Sequence, residues 1–397
     1  MNATFFEGNR QSLTHALRGG LVVLTAHDSM QRTNDSAFLF EQEANFWYLS
    51  GIEEAGWKLI IDARRNHSTL VQPAQSAMKQ IFDGGLTKAE AITVSGVHEV
   101  IEARDFEPYL RELARKHSIV YTSYNKAAYD FVVNPAQREL HAVIKRIFQS
   151  IQLCDTELHK LRAIKQPEEI TRIQKAIDLT CSAFTEARER LPALKHEYEV
   201  EAVFGSAFRT HNAHHAYDPI VAHGENACTL HYIKNTMKLS RLKPTLIDAG
   251  ARVDGYCADI TRTYMLQPTK RQQHVHSVLQ AAHVEIVSLL KPSLSVEAYS
   301  GRVDTIMKKA LIELNLLEDE TDDVTYRKYF PHAVSHGLGI DVHDSLGRPR
   351  VFEEGMVLTV EPGIYIKDEK IGMRIEDDIL ITANGHKNLS AKLSTSW

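Results

Sequence analysis

The 397-residue sequence has few cysteines, no basic block and no long apolar run. Its four cysteines stand at positions 154, 181, 228 and 257 without a C-x-x-C pair, so disulfides are not expected and a zinc knuckle is excluded by spacing. Lys and Arg number 46 against 51 Asp and Glu, which gives a formal net charge of -5. This balance makes nucleic acid and anionic membranes unexpected partners.

Apolar targeting segments are also missing. No uninterrupted apolar stretch approaches membrane-spanning length, so a membrane protein is not expected. The first residues, M-N-A-T-F-F-E-G-N-R, lack the apolar core of a signal peptide and the Arg-rich, acid-free character of a transit peptide. The sequence therefore predicts a cytoplasmic protein.

The chain length suits two domains, each long enough to bury its own core. Residues 1–155 alternate helical and β-rich stretches, which is typical of a small α/β domain with a mixed sheet. We expect strands at 21–25, 57–62 and 118–122, and an amphipathic helix at 108–116. The segment that begins at Gln31 is dense in aromatic residues, and we interpret Phe38, Phe40 and Phe46 as part of the domain core.

Residues 156–397 are expected to form a larger α+β domain. After a joining segment at 154–166, Pro167 followed by Glu168 and Glu169 marks a helix start. Apolar residues then recur at helical spacing, and the stretches 275–286 and 303–314 repeat this pattern. Helices with one apolar face can cover an antiparallel sheet, which predicts the α+β arrangement.

The stretch 245–263, T-L-I-D-A-G-A-R-V-D-G-Y-C-A-D-I-T-R-T, organises this second domain. Its Asp-Gly pair at 254–255 is a strong hairpin signal, because glycine tolerates the positive φ of a tight turn. Strands on either side of the turn can bring Asp248 and Asp259 together. Two neighbouring carboxylates repel and are costly to bury, which favours a cation between them. The alternative is a pair of strand-end aspartates that face solvent or pair with nearby arginines.

Three later segments, 329–344, 355–365 and 372–381, each place a metal-type ligand beside a turn or an apolar run. With the two aspartates they complete the set Asp248, Asp259, His336, Glu361 and Glu376. Four carboxylates and one imidazole, without a thiolate, suit two hard or borderline divalent ions, with Mn²⁺ favoured over Co²⁺, Zn²⁺ and Fe²⁺. Two ions roughly 3.5–4 Å apart can share bridging carboxylates and hold a hydroxide nucleophile between them.

These motifs resemble those of the pita-bread metallopeptidases, in the branch of Xaa-Pro aminopeptidases (aminopeptidase P) and Xaa-Pro dipeptidases (prolidases). The elements D-A-G…G-Y…D-I-T-R-T, H-G-L-G-I-D-V-H-D, V-E-P-G-I-Y and R-I-E-D-D match in order and spacing, and the resemblance covers essentially the whole chain. It implies a pita-bread catalytic domain at 156–397 preceded by an aminopeptidase P-like domain at 1–155. It also implies a homodimer or a higher homo-oligomer.

The resemblance implies a role for each residue of the ligand set. Asp259 and Glu376 bridge two metal ions. Asp248 completes one coordination sphere, whereas His336 and Glu361 complete the other. A metal-bridging hydroxide attacks the carbonyl of the Xaa-Pro bond, and Glu361 takes up the proton of the attacking water and passes it on.

Five further residues receive roles from the same resemblance. His231 and His343 stabilise the charge that develops on the carbonyl oxygen, and His332 lines the pocket for the proline ring. Arg374 orients the bridging carboxylate or holds the substrate, with Tyr365 as its partner. Taken singly, each of these histidines is more often a satisfied interior residue.

Two activities share this ligand set. An Xaa-Pro aminopeptidase releases the N-terminal residue from peptides with proline second, whereas a prolidase cleaves only Xaa-Pro dipeptides. The aromatic segment after Gln31 favours the first, and the short connection at 364–373 favours the second. We expect the aminopeptidase, with a peptide as its substrate. A catalytically inactive pita-bread protein that binds partners is disfavoured, because all five metal positions are filled by ligand-type residues.

Overall fold

The structure is a computed structural model that describes residues 1–124 and 132–397. The chain divides into two compact units, Met1–Leu161 and Arg162–Trp397. The segment 154–166, expected to be a simple connection, contains a helix at Asp155–Ala163, and the division falls within that helix. No helix of the described residues is long and apolar enough to cross a membrane.

The first unit contains a six-stranded mixed sheet with helices around it. Its helices are α1 Ala3–Ala16, α2 Ala44–Ser50, α3 Ala77–Asp83, α4 Lys88–Ser95, α5 Phe106–Ala114, α6 Ala136–Ile147 and α7 Asp155–Ala163. Its strands are β1 Leu21–Thr25, β2 Gln31–Thr33, β3 Ser36–Ala37, β4 Lys58–Asp62, β5 His67–Gln72, β6 Glu99–Glu102, β7 Ile119–Thr122 and β8 Ser150–Leu153. The sheet order β6-β5-β4-β1-β7-β8 combines parallel and antiparallel neighbours, which confirms the predicted α/β class.

Strand β1 lies in the middle of this sheet and is buried along its whole length, as its L-V-V-L-T sequence predicts. Its residues pack with apolar side chains of α5 and α6 in one core. The aromatic segment behaves less uniformly than expected. Phe46 is fully buried on α2, but Phe38 is 58% exposed after the short β2–β3 hairpin, so its assignment to the core is wrong. A hairpin of two very short strands has no second layer to bury its side chains.

The second unit consists of antiparallel ladders covered by long helices. Its helices are α8 Pro167–Arg190, α9 Glu197–Thr210, α10 Lys270–Leu289, α11 Val296–Glu313 and α12 Asp323–Tyr329. Its strands are β9 His214–His215, β10 Ile220–His223, β11 Thr245–Ala249, β12 Ala251–Val253, β13 Tyr256–Cys257, β14 Ile260–Tyr264, β15 Val357–Val360, β16 Gly363–Ile366, β17 Ile371–Arg374, β18 Asp377–Thr382 and β19 Gly385–Asn388. The ladders are β10-β11-β14, β13-β12-β9, β15-β18-β19 and β16-β17, which confirms the α+β class.

The long helices form where the sequence predicts them. Helix α8 begins with Pro167 at its first turn, and Gln166 and Glu169 cap each other's backbone N–H groups. The apolar faces of α10 and α11 pack against strands β15 to β18 in one hydrophobic core. This packing supports strands β15 and β18, whose ends lie next to Glu361 and Glu376.

The 245–263 stretch folds as two ladders rather than one hairpin. Asp254 and Gly255 have φ values of +50° and +85°, so they form the expected tight turn between β12 and β13. The chain changes ladder at Gly250, where a Cβ would lie 1.8 Å from the carbonyl oxygen of Ala258. Glycine is therefore required at this crossing, and β11 continues in register with β14.

Candidate active site

The five predicted ligands lie at strand ends and turns of the second unit. Asp248 is on β11, Asp259 directly precedes β14, and Glu376 lies between β17 and β18. Glu361 directly follows β15, and His336 lies in the irregular segment after α12. Strand ends leave side chains free to point towards one another without interrupting a ladder, so this placement suits a site.

The structure brings all five side chains together. Their ligand atoms form three overlapping groups, each within 4.8 Å: Asp248, Asp259 and Glu376; His336, Glu361 and Glu376; and Asp259, His336 and His343. Glu376 and Asp259 each belong to two of these groups. A pair of carboxylates shared between neighbouring donor groups is the arrangement that a bridged pair of cations requires.

Backbone contacts hold these ligands in place. Glu376 donates its N–H to the carbonyl of Thr261, and its Oε2 accepts from the Thr261 hydroxyl at 2.6 Å. The N–H of Glu361 bonds the carbonyl of Val334, and the N–H of His336 bonds the Thr359 hydroxyl. Hydrogen bonds to neighbouring segments therefore fix the backbones of Glu376, Glu361 and His336.

The carboxylates of the group raise one another's pKa. Burial raises the pKa of Glu376 well above its usual range, and the charges of Asp259, Glu361 and Asp248 raise it further. Burial also raises the pKa of Asp248, against the opposing charge of Arg374. Four carboxylates in a water-poor site repel one another, and a divalent cation relieves that repulsion.

Glu361 and His336 influence each other's pKa, because His336 Nε2 lies 3.3 Å from Glu361 Oε1. Burial raises the pKa of Glu361 to about 7, although the charge of His336 opposes this shift. Burial lowers the pKa of His336, but the hydrogen bond and charge of Asp259, 3.4 Å away, together with the charge of Glu361, raise it to about 9. The His336 side chain is therefore protonated near neutral pH and supplies a positive charge among the carboxylates.

Tyr217 is a site residue that the sequence reasoning missed. Its hydroxyl lies 2.6 Å from an oxygen of Asp248 and 2.6 Å from an oxygen of Asp259. One hydroxyl carries one proton, so a second positive charge or a second proton must balance this contact. The donor chemistry of the cluster therefore fits a divalent metal. No sequence pattern marks Tyr217, which precedes β10 in the A-Y-D-P segment.

Arg374 is buried and joins two parts of the site. Its Nη2 donates to Asp248 at 2.6 Å and its Nη1 donates to the Tyr365 hydroxyl at 2.9 Å. Arg374 therefore contacts Asp248 directly, and its Nε donates to the Thr261 hydroxyl at 3.1 Å, which in turn donates to Glu376. The Tyr365 hydroxyl also lies 2.9 Å from His332 Nε2. A continuous polar chain thus connects Asp248 with His332.

His332 and His343 lie beside the predicted metal ligands. His332 packs edge-on against the rings of Phe330 and Tyr365, and His343 stacks on His336 with ring centroids 4.0 Å apart. His231 lies in the exposed segment after the short helical turn at Gly224–Cys228. Burial lowers the pKa of His332 to about 4, and the charges of Arg374 and His231 add to this shift. The structure thus places His332 and His343 beside the ligands, whereas exposed His231 is linked to them by the effect of its charge on the pKa values of His332 and His343.

Residues 171–383 match metallopeptidase family M24, and residues 6–121 match the N-terminal domain of aminopeptidase P. The chain belongs to metallopeptidase family M24. This confirms the predicted pita-bread family, and it makes the chain a metal-dependent peptidase that uses divalent ions.

Its similarity to M24 relatives extends over almost the whole chain. The Xaa-Pro aminopeptidase of Escherichia coli is 32% identical over 98% of this chain and 94% of its own length. Xaa-Pro aminopeptidase 3 of Homo sapiens is 29% identical over 93% of this chain and 78% of its own length. The solved structure of E. coli aminopeptidase P matches with a TM-score of 0.90 at 30% identity, covering 100% of this chain and 96% of that chain. Proline aminopeptidase P II from Yersinia pestis matches with a TM-score of 0.88 at 30% identity, over 100% of this chain and 98% of that chain.

Around the donor cluster of this M24 chain, buried polar residues form a supporting layer. Asp378 accepts the backbone N–H of Asp259 at 3.2 Å. Arg262 pairs with Asp377 at 2.6 Å and donates to the carbonyl of Glu376. The three acidic residues at 376–378 therefore have different roles. Glu376 belongs to the donor cluster, whereas Asp377 and Asp378 fix the strands that carry it.

Proposed function

We propose that this chain is an Xaa-Pro aminopeptidase, which hydrolyses the bond before proline and releases the N-terminal residue of a peptide with proline second. The observation that carries the proposal is the complete convergence of Asp248, Asp259, His336, Glu361 and Glu376 in an M24 chain. The relatives that match this chain over nearly its whole length are named Xaa-Pro aminopeptidases in bacteria and mammals alike. Their names support the aminopeptidase over the prolidase.

The proposed cofactor is a pair of divalent ions, with Mn²⁺ as the preferred metal. The overlap of the donor groups at Asp259 and Glu376 supports two ions with shared carboxylates, and the oxygen-rich donors support Mn²⁺. Asp248 would complete the donors of one ion, whereas His336 and Glu361 would complete those of the other. Divalent ions bound there lower the pKa of water towards neutrality, which supplies a nucleophile at pH 7.

Residues of the chain itself position the substrate and move the proton. Glu361 Oε2 lies 3.7 Å from His332 Nδ1, on the side of the proposed proline pocket. Glu361 takes the proton of the attacking water on this carboxylate and passes it to the proline nitrogen as the bond breaks. His231 and His343 donate hydrogen bonds to the carbonyl oxygen as negative charge develops on it.

Selectivity for proline follows from the absence of an N–H in the Xaa-Pro bond. A general peptidase that hydrogen-bonds this N–H loses that contact with proline, so a proline-selective site must hold the ring by packing. His332, with Phe330 at 5.0 Å and Tyr365 at 5.6 Å between ring centroids, supplies an aromatic wall for this purpose. The proline ring is proposed to pack against the His332 face of the site.

The test is hydrolysis of matched Xaa-Pro and Xaa-Pro-Xaa peptides, with and without added Mn²⁺, by the wild-type chain and by Glu376→Ala. Release of the first residue from the tripeptide establishes the aminopeptidase, and cleavage of the dipeptide alone establishes a prolidase. Failure to cleave either peptide with any divalent metal would contradict the proposal and return the chain to the class of binding proteins. Glu376→Ala should be inactive with both peptides.

Two further parts of the proposal concern the assembled protein in the cell. A homodimer or higher homo-oligomer is supported by the family resemblance and is tested by light scattering of the purified chain. A cytoplasmic location is supported by the four dispersed cysteines, which form no C-x-x-C pair and suit a reducing compartment. Cell fractionation checks this location.

A further inference from the structure

A second buried charge cluster lies beside the donor cluster and takes no part in the proposed chemistry. Asp344 Oδ1 accepts from Arg162 Nη2 at 2.7 Å, and Asp344 Oδ2 lies 3.2 Å from Lys165 Nζ. The side chains of Lys165 and Asp344 are each only 1% exposed. Arg162 Nη2 also reaches Asp341 Oδ2 at 2.7 Å. Charges that are buried this completely are costly, so they persist where the geometry that they impose is needed.

The loop that this cluster holds, residues 336–344, carries two histidines of the site. Asp344 donates its N–H to the carbonyl of Gly337, which closes the base of the loop. His336 and His343 flank this closure, and their rings stack at 4.0 Å. A displacement of Asp344 therefore moves the backbone on which both imidazoles stand.

Lys165 is also anchored outside this loop. Lys165 donates its N–H to the carbonyl of Gly355 at 2.9 Å, just before β15, and its ammonium group donates to the carbonyl of Arg162. Strand β15 leads directly to Glu361. The Lys165–Asp344 pair thus ties the loop of His336 to the strand that positions Glu361.

Gly339 shows that the loop is shaped around this ion pair. A Cβ at position 339 would lie 2.0 Å from Asp344 Oδ2 and 2.9 Å from Lys165 Cε. The carboxylate and the ammonium group therefore occupy the volume that any larger residue would fill. Gly339 has no positive φ, so the requirement for glycine here comes from this close approach and not from its backbone angle.

We infer that Arg162, Lys165 and Asp344 form a positioning clamp that sets His336 and His343 relative to Glu361. These three are positioning residues, since their ion pairs join the loop of His336 and His343 to the backbone before β15. Arg162 and Lys165 neutralise a carboxylate that burial alone would push towards protonation. The clamp is expected to act on metal affinity and on turnover, because both depend on where the imidazoles stand.

A steric substitution tests the clamp without removing a charge. Gly339→Ala places a methyl group between Asp344 and Lys165, whereas the matched control Gly301→Ala, on α11, meets nothing within 4 Å. We expect Gly339→Ala to weaken Co²⁺ affinity, followed by calorimetry and by the visible spectrum of bound Co²⁺, by roughly 10–100-fold. At saturating metal, kcat should fall by a similar factor while KM changes by less than about threefold. Gly301→Ala should match the wild type in all of these quantities.

Charge substitutions provide the second arm. Lys165→Met and Asp344→Asn should each reproduce the loss of Co²⁺ affinity, and the double variant should be no worse than the more affected single variant, because both remove one interaction. If either chain fails to fold, Asp341→Asn takes its place, since Asp341 is 51% exposed and also bonds Arg162. It should weaken Co²⁺ binding by roughly 3–10-fold, at the low end of effects on residues that support a ligand.

The inference rests on the proposed function for its kinetic measurements only. If the wild-type chain cleaves no Xaa-Pro peptide, the proposed function fails, while Co²⁺ affinity still tests the clamp. Folded Gly339→Ala and Lys165→Met chains with Co²⁺ affinity and kcat within about twofold of the wild type would overturn it. A loss of the same size in Gly301→Ala would overturn it as well.

Discussion

The Tyr217 hydroxyl lies 2.6 Å from Asp248 Oδ1, inside the cluster of carboxylates. Burial raises the pKa of this phenol well above its usual range, and the charges of Asp248 and Asp259 raise it further, so the hydroxyl keeps its proton and donates it. A neutral donor that cannot ionise is a suitable partner for a carboxylate ligand, because it orients the oxygen without competing for the metal.

Replacing Tyr217 by phenylalanine should weaken the site without unfolding the chain. We expect Tyr217→Phe to reduce Mn²⁺ affinity by roughly tenfold and kcat/KM on an Xaa-Pro-Xaa peptide by a similar factor, since Asp248 and Asp259 lose a donor that orients them. The control is Tyr264→Phe, because the buried Tyr264 hydroxyl has no hydrogen-bond partner among the described residues. Equal Mn²⁺ affinities in the two variants would contradict the assigned role of Tyr217.

Loss of the Arg374 charge should destabilise the fold. Arg374→Met leaves Asp248 buried without its cation, and breaking such a pair costs about 3–5 kcal/mol. The measurement is urea unfolding in the presence of a chelator, so that no metal compensates the carboxylate. Arg271→Met is the matched control, because the Arg271–Glu369 pair lies at the surface and is worth less than about 1 kcal/mol. Similar losses of unfolding free energy in both variants would show that burial of the Arg374–Asp248 pair adds no stability.

The carboxylate cluster should make the effect of Glu376→Gln depend on metal. The pKa of Glu376 is raised, so its ionised form destabilises the folded chain once the pH is above the unfolded value. At pH 8 with a chelator, Glu376→Gln should therefore raise Tm by a few degrees, in line with about 1 kcal/mol of relief. With excess Mn²⁺ the order should reverse, because a ligand at 100 times its Kd stabilises the wild type by about 2.7 kcal/mol. Differential scanning fluorimetry under both conditions decides; a lower Tm for the variant in chelator would refute the prediction.

His276 should make the chain sensitive to mild acid. It is buried on α10, and burial lowers its pKa to about 4 from an ordinary value near 6.5. Between these pH values the unfolded chain binds the proton more readily than the folded chain, so stability falls as the pH decreases from 6.5 to 4. His276→Phe removes this contribution, which is about 3 kcal/mol at pH 4. Urea unfolding at pH 7 and pH 4 measures it, with exposed His15→Phe as the control for loss of a histidine.

The sequence was most informative where a residue type is costly in its position. Carboxylates beside apolar strands, as at Asp248 and Glu376, are avoided unless they are paired or hold a cation. Because burying an unpaired charge is so costly, these two residues could be predicted as ligands. The Asp-Gly turn at 254–255 and the start of α8 at Pro167 were visible because their backbone chemistry is local. The roles of the site residues remain predictions, although the structure brings their side chains together.

Interactions between distant segments could not be predicted in the same way. Tyr217 reaches Asp248 and Asp259 through the approach of the chain before β10 to two other strands, which no spacing in the sequence encodes. Nothing in the sequence pairs Arg374 with Asp248. Before the strand pairing was known, Glu376, two residues further along the chain, was an equally good partner. The prediction for Phe38 was wrong for a related reason. An aromatic side chain indicates that burial is favourable, but the sequence does not show whether a second layer is present to bury it.

The order of the ligands along the chain has a consequence for biosynthesis. Asp248 and Asp259 leave the ribosome long before Glu376, which belongs to the same donor group as both. A nascent chain therefore cannot assemble the complete donor group until the residues up to Glu376 have been synthesised. A chain truncated at the end of β17 would therefore lack the shared carboxylate of Glu376 even if most of its ladders had formed.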